Sequence, residues 1–77
     1  MPPPRQSEHD AVALADDIRA LLFHWFRRRG VHGVPPFGVS PYVNAADQPS
    51  VVIRMEAHAA HALVLGLYEQ RQAGNNR

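Results

Sequence analysis

Two histidines near the start of a helical segment are the residues best suited to bind a metal. His58 and His61 are three residues apart, and Glu56 precedes them. Side chains at that spacing share one face of a helix, and imidazole nitrogens with a carboxylate oxygen can ligate zinc. A metal site needs a third and usually a fourth ligand, and no other histidine has a motif spacing to this pair. We interpret both as solvated, retain them only as metal-ligand candidates, and predict no cofactor.

Three consecutive arginines form the next cluster with recognisable chemistry. Arg27, Arg28 and Arg29 end a helical segment, where cations are favoured by the helix dipole without any ligand. Together with Arg54 they would contact phosphates if all four lay on one face of a dimer. The chain carries eight basic and seven acidic residues, so its formal charge of +1 creates no strong field for nucleic acid. A dimeric DNA-binding regulator that uses these four arginines is the alternative function.

The sequence contains little that could perform catalysis. None of its three serines lies in a nucleophile elbow, and no glycine-rich loop is present to hold a phosphate. Asp16 and Asp17 are adjacent on a helix and indicate a solvated face. Cysteine is absent, which excludes a disulfide scaffold, a thiol enzyme and a Cys-based zinc module. We therefore predict that the protein is not an enzyme.

Two amphipathic helices must carry most of these residues. Apolar residues repeat at three- and four-residue steps from Ala11 to Phe26, a pattern that predicts a helix with Ser7 as its N-cap and Gly30 just beyond its end. Its predicted buried stripe includes Leu14 and Leu21. Residues 57–72 form the second helix. Its predicted buried stripe comprises Ala57, Ala60, Leu63, Val64, Leu67 and Tyr68.

The segment between the helices is typical of a β-hairpin. Residues 37–44 and 50–56 are β-like, and the polar segment between them predicts a turn. Pro41 removes a ladder donor and so confines the first strand to an edge, which leaves the second strand as the better edge for pairing with another chain. The predicted fold class is α+β, a small helix–β-hairpin–helix (αββα) module completed by dimerisation, because a lone hairpin is marginal in water.

The chain of 77 residues has room for one small domain. We assign residues 1–6 to a disordered Pro-rich lead-in, residues 7–72 to the αββα domain and residues 73–77 to a flexible tail. No apolar run is long enough for a membrane span, and the N-terminus lacks the apolar region of a signal peptide. We therefore expect a cytoplasmic protein with no membrane partner.

Both helices have more apolar surface than one small core requires. In the first helix, Val12 and Phe23 lie beside the main stripe with Arg19 between them. In the second helix, small residues flank the stripe and one leucine lies on the polar side. The predicted partner or dimer interface comprises Val12, Arg19, Phe23, Ala59, Ala62, Leu65 and Gly66.

These observations point to a protein that acts by binding. A chain this short gains about as much from apolar burial as it loses in conformational entropy, so a partner surface adds needed stability. We predict a non-enzymatic regulator or adaptor that forms a homodimer and binds an unidentified protein through apolar helix faces. Nucleic acid is the less favoured partner because the net charge is close to zero.

Overall fold

A helix, a two-stranded hairpin and a second helix follow one another along the chain. The structure is a computed structural model that describes residues 5–75. Its elements are α1 (Gln6–Arg28), β1 (Phe37–Val43), β2 (Pro49–Met55) and α2 (Ala57–Asn75). This order confirms the predicted α+β class and αββα arrangement. Within residues 5–75, neither helix combines the length and the hydropathy that a bilayer crossing requires.

The N-terminus of α1 differs from its prediction. The helix begins at Gln6, with Arg5 as its N-cap and no side-chain cap bond, so the prediction that Ser7 is the N-cap was wrong. The Ser7 side chain is buried instead, and its Oγ donates to Oδ1 of Asp47 at 2.8 Å. The hydroxyl therefore stabilises a contact with the hairpin turn, because a tertiary acceptor lies within reach. Gln6 belongs to the helix and not to a lead-in, and residues 1–4 lie outside the described residues.

The C-terminus of α1 ends as the glycine predicts. Gly30 has a φ of +87°, a backbone conformation that glycine adopts without a Cβ clash. The amide of Val31 donates to the carbonyl of Phe26 at 3.0 Å, and the amide of Gly30 donates to that of Arg27 at 3.1 Å. These two bonds form a Schellman motif, which satisfies the last carbonyls of the helix.

The hairpin has a regular antiparallel register that fixes the two faces of its strands. Phe37 pairs with Met55, and Val39 pairs with Ile53. Val39 is buried, and the Phe37 ring stacks on the Phe26 ring of α1 at 5.5 Å between centroids. Because side chains alternate along a strand, the odd-numbered residues of both strands point towards α1 and the even-numbered ones point away.

The hairpin turn is held by one asparagine. Oδ1 of Asn44 accepts from the amides of Ala46 and Gln48, each at 3.0 Å, in an Asx-type turn. The amide of Asn44 also donates to the carbonyl of Gln48 at 3.1 Å. Asp47 occupies the left-handed region at a φ of +59°, which aspartate tolerates better than most residues. The turn therefore spans the segment that the sequence predicts.

The core is small and contains few large side chains. Among the described residues, the buried apolar residues are Ala11, Ala15, Phe26, Val39 and Ala59. Of the stripe predicted for α1, Leu14 is 45% exposed and Leu21 is 71% exposed, so these two predictions of burial were wrong. The hairpin covers only part of that stripe, because its two strands are narrower than the apolar side of the helix.

The second helix approaches α1 where Gly66 lies against Trp25. Ala59 and Gly66 are buried, and a methyl group built at Gly66 would overlap the Trp25 ring of α1. Of the stripe predicted for α2, Ala60 and Leu63 are half-buried. Val64, Leu67 and Tyr68 are all more than half exposed, so the prediction that these three are buried was wrong. Because the Trp25 ring is large, α2 can lie close to it only through a side that has no bulky side chain. The helix continues to Asn75, beyond the predicted boundary at residue 72.

Candidate protein-interaction surfaces

The outward side of α2 carries several exposed apolar side chains. Four large side chains form it, which we call the α2 outer stripe. They are Val64 (62% exposed), Leu65 (48%), Leu67 (57%) and Tyr68 (59%). Val64 lies three and four residues before Leu67 and Tyr68, and Leu65 lies three residues before Tyr68, so the four side chains cover one broad side of the helix, about 160° wide. This side is opposite Gly66, which lies against Trp25.

The structure separates the four α2 residues that the sequence predicts as interface. Leu65 is exposed and belongs to the α2 outer stripe. Ala59 and Gly66 are buried within the chain, and Ala62 is half-buried. Ala59 and Gly66 therefore pack inside the monomer, which corrects their assignment to a contact with another chain. The apolar pattern correctly indicated two apolar sides on α2. The side with small residues, however, packs within the same chain and not against another chain.

The three α1 residues of the predicted interface lie in different environments. Val12 is 47% exposed and lies in a shallow depression beside Tyr42. Arg19 donates through Nη2 to the carbonyl of Val39 at 2.6 Å and through Nη1 to Oδ1 of Asp16 at 2.7 Å. Arg19 thus supports the packing of α1 on β1. Phe23 is half-buried and lines a cleft.

This cleft lies between α1 and the start of β1 and has a volume of about 420 Å³. Its walls are mainly apolar, and three polar side chains surround them. The apolar lining consists of Ala20, Phe23, Pro35, Phe37, Gly38 and Val39, and the polar side chains are Asp16, Arg19 and His24. An apolar lining with a few polar groups is typical of a pocket that accepts one large apolar group.

The predicted nucleic-acid residues do not form one cluster within the chain. The Arg29 guanidinium lies 4.2 Å from the centroid of the Trp25 ring and 3.6 Å from Oε2 of Glu69. The Arg27 guanidinium lies 5.4 Å from the centroid of the Phe23 ring. Arg54 is an even-numbered residue of β2, so it belongs to the hairpin face that points away from α1.

Arg28 completes the predicted set and is exposed near the end of α1. Its neighbours in the cluster make contacts that connect α1 with α2, since Arg29 touches both Trp25 and Glu69. A guanidinium over an aromatic ring is stabilised by the ring quadrupole without any phosphate. Arg29 therefore has a structural role whether or not a nucleic acid binds.

The histidine pair makes one local contact. Nδ1 of His58 lies 3.6 Å from Oε2 of Glu56, and both side chains are exposed. His61 is exposed as well. Across residues 5–75, no group of three or more histidine, cysteine, aspartate or glutamate side chains could hold a metal ion. His58 and His61 thus have no third protein ligand within that part of the chain.

Comparisons with known proteins add no further guide to these surfaces. No protein-family model, no curated protein and no solved structure matches the chain. The geometry of the exposed apolar surfaces is therefore the basis for a functional proposal.

Proposed function

We propose that the protein is a small, non-enzymatic interaction module that associates with a second copy and binds a protein partner through apolar helix faces. The observation that carries this proposal is the α2 outer stripe. A helix that is apolar on opposite sides is normally covered on both. In α2 one side lies against Trp25, while Val64, Leu67 and Tyr68 face outwards. The role as regulator or adaptor and the cytoplasmic location stay predictions.

The chemistry of the α2 outer stripe favours a protein over a small ligand. The stripe is convex and its four side chains carry no charge, while Arg71, three residues after Tyr68, lies on the same side nearer the end of the helix. A convex apolar stripe matches the groove of another protein, in the mode by which amphipathic helices dock into hydrophobic grooves. Tyr68 adds an aromatic side chain with a polar hydroxyl, a type enriched at protein interfaces.

The cleft beside Phe23 supports a second contact with the same kind of partner. Its volume of about 420 Å³ suits an apolar side chain, and Arg19 and Asp16 at its edge can hydrogen-bond to a partner's backbone. Because Arg19 already bonds to Val39, its guanidinium is held in place before a partner arrives. Little conformational entropy would then be lost at this position on binding.

A role in DNA binding has less support. Arg29 already has two partners inside the chain, and Arg54 belongs to the other side of the hairpin from α1. A phosphate contact by Arg29 would compete with its ion pair to Glu69. A salt series tests the alternative directly, because several arginine–phosphate contacts give a steep dependence of affinity on salt concentration.

Affinity capture with matched variants tests the proposed partner surface. The full chain, immobilised through its N-terminus, is incubated with a lysate of the native host, and captured proteins are identified by mass spectrometry. We expect a partner that binds the unmodified chain and is lost with the pair Val64→Ser and Leu67→Ser. Both side chains are more than half exposed, so the variant keeps its fold, which circular dichroism checks.

The control is the pair Gln70→Ser and Gln72→Ser, two exposed polar positions of the same helix. It carries the same number of new serines but leaves the α2 outer stripe intact. We expect it to capture the partner as the unmodified chain does. Equal capture by both double variants would show that the α2 outer stripe does not bind the partner, and this outcome would refute the proposal for that surface.

A further inference from the structure

The outer edge of β2 is an unoccupied strand edge. At one end of the hairpin, the amide of Glu56 donates to the carbonyl of Pro36. At the other end, the amide of Asn44 donates to the carbonyl of Gln48. Hydrogen-bonded pairs alternate along an antiparallel ladder, so the even-numbered residues bond across the hairpin. The odd-numbered residues Val51 and Ile53 therefore direct their amides and carbonyls away from β1. Within the described part of the chain, no hydrogen bond reaches these groups.

The outer edge of β1 is closed by two features. The carbonyl of Val39 accepts the bond from Arg19 at 2.6 Å. Pro41 occupies an outward-facing position, so its missing amide removes a donor from this edge and not from the hairpin ladder. A proline and a covering arginine are common ways to block strand addition. The hairpin thus has one blocked edge and one open edge.

The outer edge of β2 has less protection than that of β1. Pro49 lacks an amide at the turn end of this edge, while Val51 and Ile53 keep both backbone groups there. Arg54 is the only charged residue of β2, and it belongs to the outer face of the hairpin. The face towards α1 carries Val51, Ile53 and Met55. Ile53 is 45% exposed although it lies on that face, because α1 covers β1 more than β2. An open and mostly apolar edge strand is a template for pairing with another strand.

We infer that β2 pairs antiparallel with β2 of a second copy, about a two-fold axis at Val52, to form a continuous four-stranded sheet. This inference rests on the self-association in the proposed function and gives it a surface and a register. An axis at Val52, the midpoint of Pro49–Met55, aligns both strands over their full length. The two end pairs, Pro49 with Met55, lack one hydrogen bond each because proline has no amide. Val51 then lies opposite Ile53 of the second copy, which covers the exposed part of Ile53.

The charge on β2 agrees with this register. An axis at Val52 places Arg54 opposite Ser50 of the second copy. An axis at Arg54 would place two arginines directly opposite each other, which is destabilising. Only the odd-numbered residues of β2 direct their amides and carbonyls outwards. A register that places odd-numbered residues opposite even-numbered ones therefore cannot form the hydrogen bonds between the two copies.

The exposed area of the chain is sufficient for such an interface. Its surface of 6139 Å² exceeds by about 1,400 Å² the value of about 4,700 Å² expected for a compact protein of this mass. A stable interface buries about 800 Å² on each partner. The excess surface of the chain is thus larger than the area that one standard interface buries on each partner.

A charge-complementation experiment tests the pairing. Val52 points to the outer face and is 47% exposed, so Val52→Lys and Val52→Glu leave the monomer folded. At the axis, each variant places two like charges opposite each other. We expect each alone to dimerise at least ~10-fold more weakly than the unmodified chain in sedimentation equilibrium. A mixture of the two variants restores a dimer, which native mass spectrometry identifies as the heterodimer.

Ser40→Lys is the matched control. Ser40 lies opposite Val52 in the hairpin and on the same face, but it belongs to the other strand, β1. Its two copies in the four-stranded sheet are three strand spacings apart, about 14 Å. We expect Ser40→Lys to dimerise as the unmodified chain does. Amide hydrogen exchange supplies a second measurement, with Val51 and Ile53 protected in the unmodified dimer and unprotected in Val52→Lys.

The contrary outcomes are distinct. If Leu67→Asp abolishes the dimer and Val52→Lys does not, self-association occurs through α2 and the β2 pairing is refuted, while the self-association of the proposed function stands. If Val52→Glu alone dimerises as strongly as the unmodified chain, the axis at Val52 is refuted. If the unmodified chain sediments as a monomer at all accessible concentrations, both the pairing and the proposed self-association fail, whereas partner capture remains a separate result.

Discussion

At the scale of single residues, Gly66 determines how closely α2 approaches α1. The ring of Trp25, against which Gly66 lies, is itself held between other groups. The Arg29 guanidinium covers it at 4.2 Å, and the Phe26 ring contacts it edge-on at 4.9 Å between centroids. The indole therefore has little freedom to move away from a larger residue at position 66.

Gly66→Ala tests this contact. The added methyl gains about 1 kcal/mol of helix propensity but overpacks against Trp25, at a cost of about 1–3 kcal/mol. We expect a net loss of about 1 kcal/mol in the free energy of unfolding, measured by urea titration. The control is Gly74→Ala, in the same helix but with no atom within 4 Å of the new methyl, which should gain up to about 1 kcal/mol. Equal stabilisation by both substitutions would contradict the contact.

At the scale of elements, the hairpin turn is held by side-chain hydrogen bonds. Asn44 supplies the acceptor for two turn amides, and Asp47 both adopts the left-handed conformation and accepts the bond from Ser7. The turn therefore connects the hairpin to the first turn of α1.

Asn44→Ala removes the acceptor of the Ala46 and Gln48 amides. Because the turn is exposed, water can hydrogen-bond to the two amides in place of the lost side-chain oxygen. We therefore expect a decrease of about 1–2 kcal/mol in the free energy of unfolding. Asn44→Asp keeps a side-chain oxygen at the same place and should retain most of the stability. Chemical denaturation of the two variants makes the comparison. A loss of similar size in both would show that the Asx turn does not stabilise the hairpin.

At the scale of the whole molecule, the isolated chain is extended. Its radius of gyration is 15.6 Å, compared with about 11.5 Å for a compact chain of this length. Only one large aromatic side chain, Phe26, is fully buried among the described residues. Since the core is so small, association with a second copy should contribute much of the stability.

We therefore expect the melting temperature to rise with protein concentration. A 100-fold increase in protein concentration stabilises the dimer by about 2.7 kcal/mol. This stabilisation corresponds to a rise in melting temperature of about 5–10 °C for a chain of this size. Differential scanning calorimetry at two concentrations measures the effect. The Val52→Lys variant serves as the reference, because its weakened pairing should lower the melting temperature at both concentrations. A constant melting temperature for the unmodified chain would contradict stabilisation by association.

The sequence alone determined the elements and their order. Apolar periodicity, Gly30 after the arginines and the turn residues after β1 are local signals, and local backbone preferences decide such features. The missing amide of Pro41 is a signal of the same kind, and it favours the second strand as the edge for pairing. The order of helices and strands was predictable because it depends on residues close together in the chain.

Only the tertiary structure decided which apolar side of each element is covered. Periodicity places Gly66 on the opposite side of α2 from Val64 and Leu67, but it does not show which side meets Trp25. Which side of a helix is buried depends on the shape of the surface that packs against it. The bulky Trp25 ring fits against the side of α2 that has the smallest residues. The role of Ser7 was decided in the same way, by an acceptor forty residues away in the chain. The physical reason is that packing and long-range hydrogen bonds depend on surfaces that meet only in the folded chain.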